Sequence, residues 1–378
     1  MVPEKQLWFP KNEFVARVGR VQDELRDRGL DALLAFHPAS VTYLTGFFTT
    51  AYSLFSVAIV PASGEPWVVC RDNEEYWLDR TGAFAGRFLW DDSEAADRAG
   101  VLARALRTLG LDRAKLGIES AAPYNARLDE ALRAAVPGAV FSDCGDAIVA
   151  QLREIKSPAE IDYIRGASRA AEAGTAAASR TARAGVSERE VAAEISAALI
   201  RAGNDVAGPG PMGSGERAEH LHAAYEDRVL ETGDSLVTEI EGCVRYYYAL
   251  FFRTIKIGRA TADEERLAAR LIDLQDRAYN EVRAGAPVQN ADRTIRAGLE
   301  AETGRRYTTN TFGSIGFTLS PARTLSVVES SDWTFEAGMT FHSYLRVGAI
   351  FFSETILVTP EGHQRLTMFP RELIVTPG

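Results

Sequence analysis

The chain has 378 residues, 46% hydrophobic and 25% charged, the composition of a soluble globular protein built as one large domain or two smaller ones. A net charge of −10 argues against nucleic acid or an anionic membrane surface as the main partner, and no apolar run approaches the roughly 20 residues that a membrane span needs. Cys70, Cys144 and Cys243 are scattered and match no zinc spacing, and the opening MVPEKQLWFPKNEF carries no apolar signal region, so a cytoplasmic location is expected.

In chain order, Phe14, Val18, Val21 and Leu25 recur at helical spacing, and Gly29 ends the run. LDALLAF then reads as a buried strand. SLFSVAIVP, GEPWVVC, ARALRTLG, AKLGIE and LDEALRAAV continue an alternation of short strands and helices to about Gly145. Residues 1–148 therefore read as an α/β domain. The pattern then changes. Ser157, Pro158 and Glu160 form a capping box with a proline at the first helical position, and Ser187 with Glu190 and Thr261 with Glu264 repeat the box. Strand candidates lie between and after these helices: DSLVTEIEGCV, RYYYALFFRTIKIG, MTFHSYLRV and AIFFSETILVTPEG. Residues 149–378 read as an α+β domain, and the pairing of helices with hairpins suggests an internal duplication.

Several motifs in this order resemble the creatinase, aminopeptidase P and prolidase superfamily: REIKSPAEIDYIRGASRAAEAG, HAAYEDRVLETGDSLVTEI, FRTIKIG, EAGMTF and SETILVTPEG, with YLTGFF upstream. The resemblance covers nearly the whole chain. It implies a creatinase-type N-terminal α/β domain followed by a pita-bread catalytic domain. The metallopeptidases of that superfamily hold two metal ions with Asp, Asp, His, Glu and Glu. Carried over one at a time, these positions fall on Glu239, Leu250, Gly313, Tyr344 and Ser353. Leucine, glycine and tyrosine cannot build a dinuclear site, so no metal and no other cofactor is expected. The local wording is nearer to metal-free creatinase and to ectoine hydrolase-like members, in which LEIxGCxRxYHAxxxRT and FSETVLVT correspond to TEIEGCVRYYYALFFRT and FFSETILVT here.

The resemblance puts His222 at the position of a catalytic histidine, where an imidazole can take and return a proton near neutral pH. Glu239 stands at the first aspartate position, in an apolar strand where a carboxylate without a partner is costly. Glu241 shares its strand parity. His342 shares parity with Tyr344 and should face the same pocket. Glu354 is a second catalytic candidate if a bulge turns it inward in place of Ser353. Tyr248 falls at a pocket tyrosine of creatinase. Tyr52 and Phe55 lie in a segment that in creatinase relatives reaches a neighbouring subunit's pocket. For each of these side chains the competing role is structural: a surface loop, an ion pair or core packing.

The resemblance thus implies a metal-independent hydrolase of a non-peptide C–N bond in a small polar metabolite, of the ectoine-like cyclic amidine or creatine-like guanidino class. The alternatives are a lyase on the same scaffold with His222 as base, a non-catalytic pita-bread binding protein, and an Xaa-Pro metallopeptidase, which the lost ligands disfavour. It also implies a homodimer. Light scattering at micromolar concentration is expected to give about twice the 41.2 kDa chain mass, and a fully active monomer would overturn that expectation.

Overall fold

The computed structural model describes residues 5–52, 54–119, 124–145, 147–318 and 325–378. The chain divides into two units, Met1–Arg153 and Glu154–Gly378. Among the described residues, no helix is long and apolar enough to cross a membrane.

The first unit runs α1 (Lys11–Asp27), β1 (Ala32–Ala35), α2 (Pro38–Thr45), β2 (Val57–Pro61), β3 (Trp67–Arg71), α3 (Glu75–Thr81), β4 (Gly86–Trp90), α4 (Arg98–Thr108), β5 (Lys115–Glu119), α5 (Ala126–Ala135), β6 (Val140–Asp143) and α6 (Val149–Leu152). Phe14, Val18, Val21 and Leu25 are the buried stripe of α1, as their spacing predicts. The mixed sheet has the order β4-β3-β2-β1-β5-β6, with β1–β2 and β2–β3 antiparallel and the remaining neighbours parallel. Its core gathers Phe36, Phe55, Ile59, Trp90, Leu102 and Ile118. α2 was not read from the sequence. Its start is held by His37, whose Nδ1 accepts the Ala39 N–H, a capping role for which histidine gives little sequence signal.

The second unit begins with α7 (Pro158–Thr181) and α8 (Glu188–Arg201), then β7 (Met212–Ser214), β8 (Ser235–Val244) and β9 (Tyr247–Ile257). It continues with α9 (Ala262–Tyr279), α10 (Val288–Thr303), β10 (Phe312–Ser314), β11 (Ser326–Val327), β12 (Thr340–Val347), β13 (Ile350–Val358), β14 (His363–Arg365) and β15 (Ile374–Thr376). All three capping boxes form as read, on α7, α8 and α9. The order helix, helix, hairpin occurs twice. α7 and α8 cover the outer face of β8–β9 through Ala171, Ala178, Ile195, Leu199, Ile240 and Phe251. α9 and α10 cover β12–β13 through Leu271, Leu274, Ile295, Phe341, Phe352 and Ile356. Gly242 permits the close approach of α7, since a Cβ there would lie 1.9 Å from the Ala167 carbonyl oxygen.

Both hairpins belong to one sheet of order β11-β10-β12-β13-β9-β8-β7, with β14 and β15 added on β13 and β9. At the centre, β13 and β9 share a single ladder pair, Phe352 with Arg253. Elsewhere side chains close the seam. The Leu250 and Phe252 N–H groups donate to Thr355 Oγ1 and Ser353 Oγ at 3.0 and 2.6 Å, and the Phe351 N–H donates to Thr254 Oγ1 at 2.9 Å. The fully buried Arg253 guanidinium donates to the carbonyls of Phe252, Ser353, Phe369 and Pro370 and to Glu354 Oε1 at 2.8 Å.

A charge buried this deeply must keep its counter-charge. Glu354→Ala is expected to lower the unfolding free energy by roughly 3–5 kcal/mol in urea denaturation. The exposed pair Arg306–Glu329 serves as the control, and Glu329→Ala should leave the midpoint unchanged.

Candidate active site

The inner faces of the two hairpins meet beside this seam. In β8–β9, Glu239 pairs with Phe252, Glu241 with Leu250 and Cys243 with Tyr248. In β12–β13, His342 pairs with Thr355 and Tyr344 with Ser353. Directly opposed residues share a face, so each hairpin presents its polar groups toward the other. The two rows interlock through rings. Phe252 stacks on His342 at 6.0 Å, and His342 stacks on Tyr344 at 5.5 Å. Between them, Glu239 Oε1 lies 3.7 Å from His342 Nδ1, and His342 Nε2 lies 2.7 Å from Ser353 Oγ. The structure thus brings together carboxylate, imidazole and hydroxyl from three strands, with His342 and Ser353 fully buried and Glu239 nearly so.

Glu241 points to the same side as Glu239 but differs electrostatically. Burial pushes its carboxyl up to about 6, and among the described residues it makes no hydrogen bond or ion pair. The chain at Gly210 lies against it, with room only for a glycine: a Cβ there would lie 2.1 Å from the Glu239 carbonyl oxygen and 3.2 Å from Glu241 Cγ. Tyr344 is buried, and its hydroxyl donates to Asn310 Oδ1 at 3.3 Å.

Of the other candidates, Tyr248 shares this face nearer the hairpin tip and the rest fall elsewhere. Tyr248 sits in a cluster with Cys243, Leu250 and Ile315, and burial first, then the Cys243 side chain, raises its phenol pKa. The Cys243 thiol is pushed up to about 12 by burial, which leaves it unreactive. Glu354 faces the opposite way from Ser353. Strand parity holds without a bulge, and the carboxylate is consumed by Arg253 and Thr367, so the inward catalytic role read for it is corrected to a structural one. Phe55 is likewise corrected. It packs inside the first unit against Phe36 and Trp90, its carbonyl accepts the Trp90 indole N–H, and its ring is only 1% exposed. Tyr52 is exposed on that unit. His222 is exposed in a turn at left-handed φ 63°, and its neighbour Leu221 packs against the cluster formed by Ala218, Val237, Phe252, Tyr344 and Phe351. Phe252 and Asn310 escaped the sequence reading. Phe252 could have been found by parity with Leu250, whereas Asn310 lies in a loop without periodicity.

A two-metal centre does not fit this donor set. Leu250, Gly313 and Tyr344 occupy three of the five ligand positions, Ser353 occupies a fourth, and the Nε2 of the one nearby imidazole is taken by a hydroxyl. Among the described residues, no group of three or more His, Cys, Asp or Glu side chains gathers to hold a metal ion.

A paired-hairpin sheet under two helix pairs, preceded by a separate α/β unit, defines the pita-bread class. The chain belongs to metallopeptidase family M24, whose model matches residues 162–360; the creatinase/prolidase N-terminal domain model matches residues 17–155. It is 29% identical to the uncharacterised hydrolase/peptidase y4tM of Sinorhizobium fredii over 98% of this chain and 99% of that one. It is 25% identical to the ectoine hydrolase of Halomonas elongata over 97% of this chain and 98% of that one. Among solved structures, the dipeptidase PepE of Mycobacterium ulcerans superposes with a TM-score of 0.82 at 25% identity, over 98% of this chain and 100% of that one. These relatives support a hydrolase on the M24 scaffold.

The raised Glu241 carboxyl makes a pH prediction. A carboxyl raised by burial is protonated in the fold at a pH where the unfolded chain has already ionised it, so the folded state loses stability as pH rises from the ordinary value of 4.5 through about 6. Glu241→Gln removes that cost. It is expected to raise the melting temperature more at pH 7.5 than at pH 5, and an equal shift at both pH values would contradict the assignment.

Proposed function

We propose that this chain hydrolyses a C–N bond other than a peptide bond in a small cationic metabolite, of the ectoine-like cyclic amidine or creatine-like guanidino class, without metal ions or another cofactor. The observation that carries the proposal is the pair of unlike carboxylates on one face of β8. Glu239 is backed by an imidazole, whereas Glu241 is half-buried and without a partner among the described residues. A desolvated carboxylate awaiting a counter-charge is a receptor for an amidinium or guanidinium, which two parallel N–H···O bonds would hold. The 25% identity to an ectoine hydrolase, spread over nearly the full length of both chains, supports the same reading.

In this reading Glu241 takes the cationic head of the substrate. Glu239, two residues along the strand and so about 7 Å away, receives a proton from the attacking water. The water oxygen bonds to the carbon of the C–N group, the C–N bond breaks, the departing nitrogen takes a proton from His222, and solvent removes the proton from Glu239 and replaces the one on His222. His222 stands at the surface next to Leu221, which packs on the cluster that holds Tyr344, so it would serve the mouth of the pocket rather than its floor. A homodimer whose partner subunit borders the pocket belongs to the same reading.

Calorimetry against a panel of amidines, guanidines and betaines, followed by turnover in oxygen-18 water, tests the proposal. One labelled oxygen per cleaved product is expected, and an unsaturated product without label would replace hydrolysis by elimination. Activity should survive chelation. Near-stoichiometric manganese, zinc or cobalt with activity lost on chelation, or preferential cleavage of Xaa-Pro dipeptides, would overturn it. His222→Asn fits the left-handed backbone but carries no titrating proton, and should cut turnover by roughly 10²–10⁴ with an unchanged melting curve.

A further inference from the structure

The hydroxyl of Ser353 has one proton, and its surroundings decide where that proton goes. Oγ already accepts the Phe252 N–H at 2.6 Å, and its remaining hydrogen-bond partner is His342 Nε2 at 2.7 Å. The Ser353 carbonyl is occupied separately by Arg253. If Nε2 carried a proton, Oγ would accept twice, and its own proton would face no acceptor among the described residues. Ser353 and His342 are both 0% exposed, so that proton would be buried unpaired, which costs about 1–3 kcal/mol. The opposite arrangement pairs the serine proton. The serine O–H donates to Nε2, the imidazole proton sits on Nδ1, and Nδ1 is the nitrogen that faces Glu239 Oε1 at 3.7 Å.

We propose that Ser353 is a positioning residue that fixes His342 as its Nδ1–H tautomer, so that the ring turns an N–H toward Glu239 and aims that carboxylate at the pocket. His342 then exchanges no proton with substrate, because Nε2 is sealed against Ser353. Ser353 is not a nucleophile, because both faces of its oxygen are taken and neither is open to solvent. The role of Glu239 as base rests on the proposed function; the tautomer of His342 does not, and is measured without substrate.

The test is long-range proton–nitrogen correlation on the full chain labelled with ¹⁵N-histidine. There are five histidines, and His342 is assigned from the resonance pair absent in His342→Gln. Wild type at pH 7.5 is expected to show a neutral ring protonated on Nδ1. Ser353→Thr should retain that pattern, since it keeps the hydroxyl, and Ser353→Ala should move it toward the Nε2–H form or a mixture. An Nε2–H or doubly protonated ring in the wild type would overturn the proposal, and so would an unchanged tautomer in folded Ser353→Ala. If the alanine variant does not fold, the wild-type spectrum decides alone. Labelling of Ser353 by a fluorophosphonate would also overturn it. A confirmed tautomer with no amidine or guanidine turnover would leave this inference standing and remove the proposed function.

Discussion

The Arg253 guanidinium is the group on which the catalytic unit depends. Two hairpins lie side by side but share one ladder pair at their junction, so the sheet is nearly interrupted at its centre. A continuous ladder would leave every inner-face side chain at strand spacing. Here the strands diverge, and the freed N–H and carbonyl groups, which could not stay buried unpaired, are taken up by Ser353, Thr355, Thr254 and Arg253. Arg253 joins carbonyls from three chain segments and needs Glu354 to hold its charge where water cannot reach it. Burial pushes its pKa down, and the Glu354 carboxylate pushes it back. Neighbouring residues on one strand thus do different work. Glu354 secures the seam from the outer face, while Ser353 turns the inner face toward His342.

What the sequence made legible follows from local rules. The three capping boxes and the buried stripe of α1 depend on spacings of three or four residues, and all of them form. Strand parity correctly groups Glu239 with Glu241 and His342 with Tyr344, because the side-chain period of a strand is two. The helix α10 was missed since its start, after Pro287, has no side-chain cap. Phe55 misled because an aromatic residue in a motif segment looks the same in sequence whether it lines a site or fills a core. The bonds of Ser353 were not legible at all: they join β13 to β9 and β12, and no local pattern encodes which hydroxyl fills a gap between strands.

The inner face also differs in its donor set from the two-metal pattern of the metallopeptidases. Replacing ligands by Leu250, Gly313 and Tyr344 removes the donors that a dication would need, and it changes the dielectric surroundings of the polar groups that remain. Rings and aliphatic side chains now crowd a small number of ionisable groups, which raises the electrostatic stakes of each. Glu239 answers this with an imidazole neighbour. Glu241 does not, and a carboxylate held in that state spends stability on an interaction the protein alone does not complete.

The tip of the first hairpin is a two-residue connection, Arg245 and Tyr246, with φ of 50° and 59° and no glycine. Such a turn matches the twist of the strands it joins, yet a side chain in the left-handed region costs about 1–2 kcal/mol per residue. The loop before it offsets the strain, with the Asn204 and Asp205 side chains accepting the N–H groups of Cys243 and Arg245. Arg245 is exposed, whereas Tyr246 packs toward Tyr248 and Leu250. The hairpin that carries both inner-face glutamates therefore offers engineers a handle at its far end. Glycine or asparagine at position 245 relaxes the backbone, and heat resistance can be adjusted there without altering a single residue of the inner face.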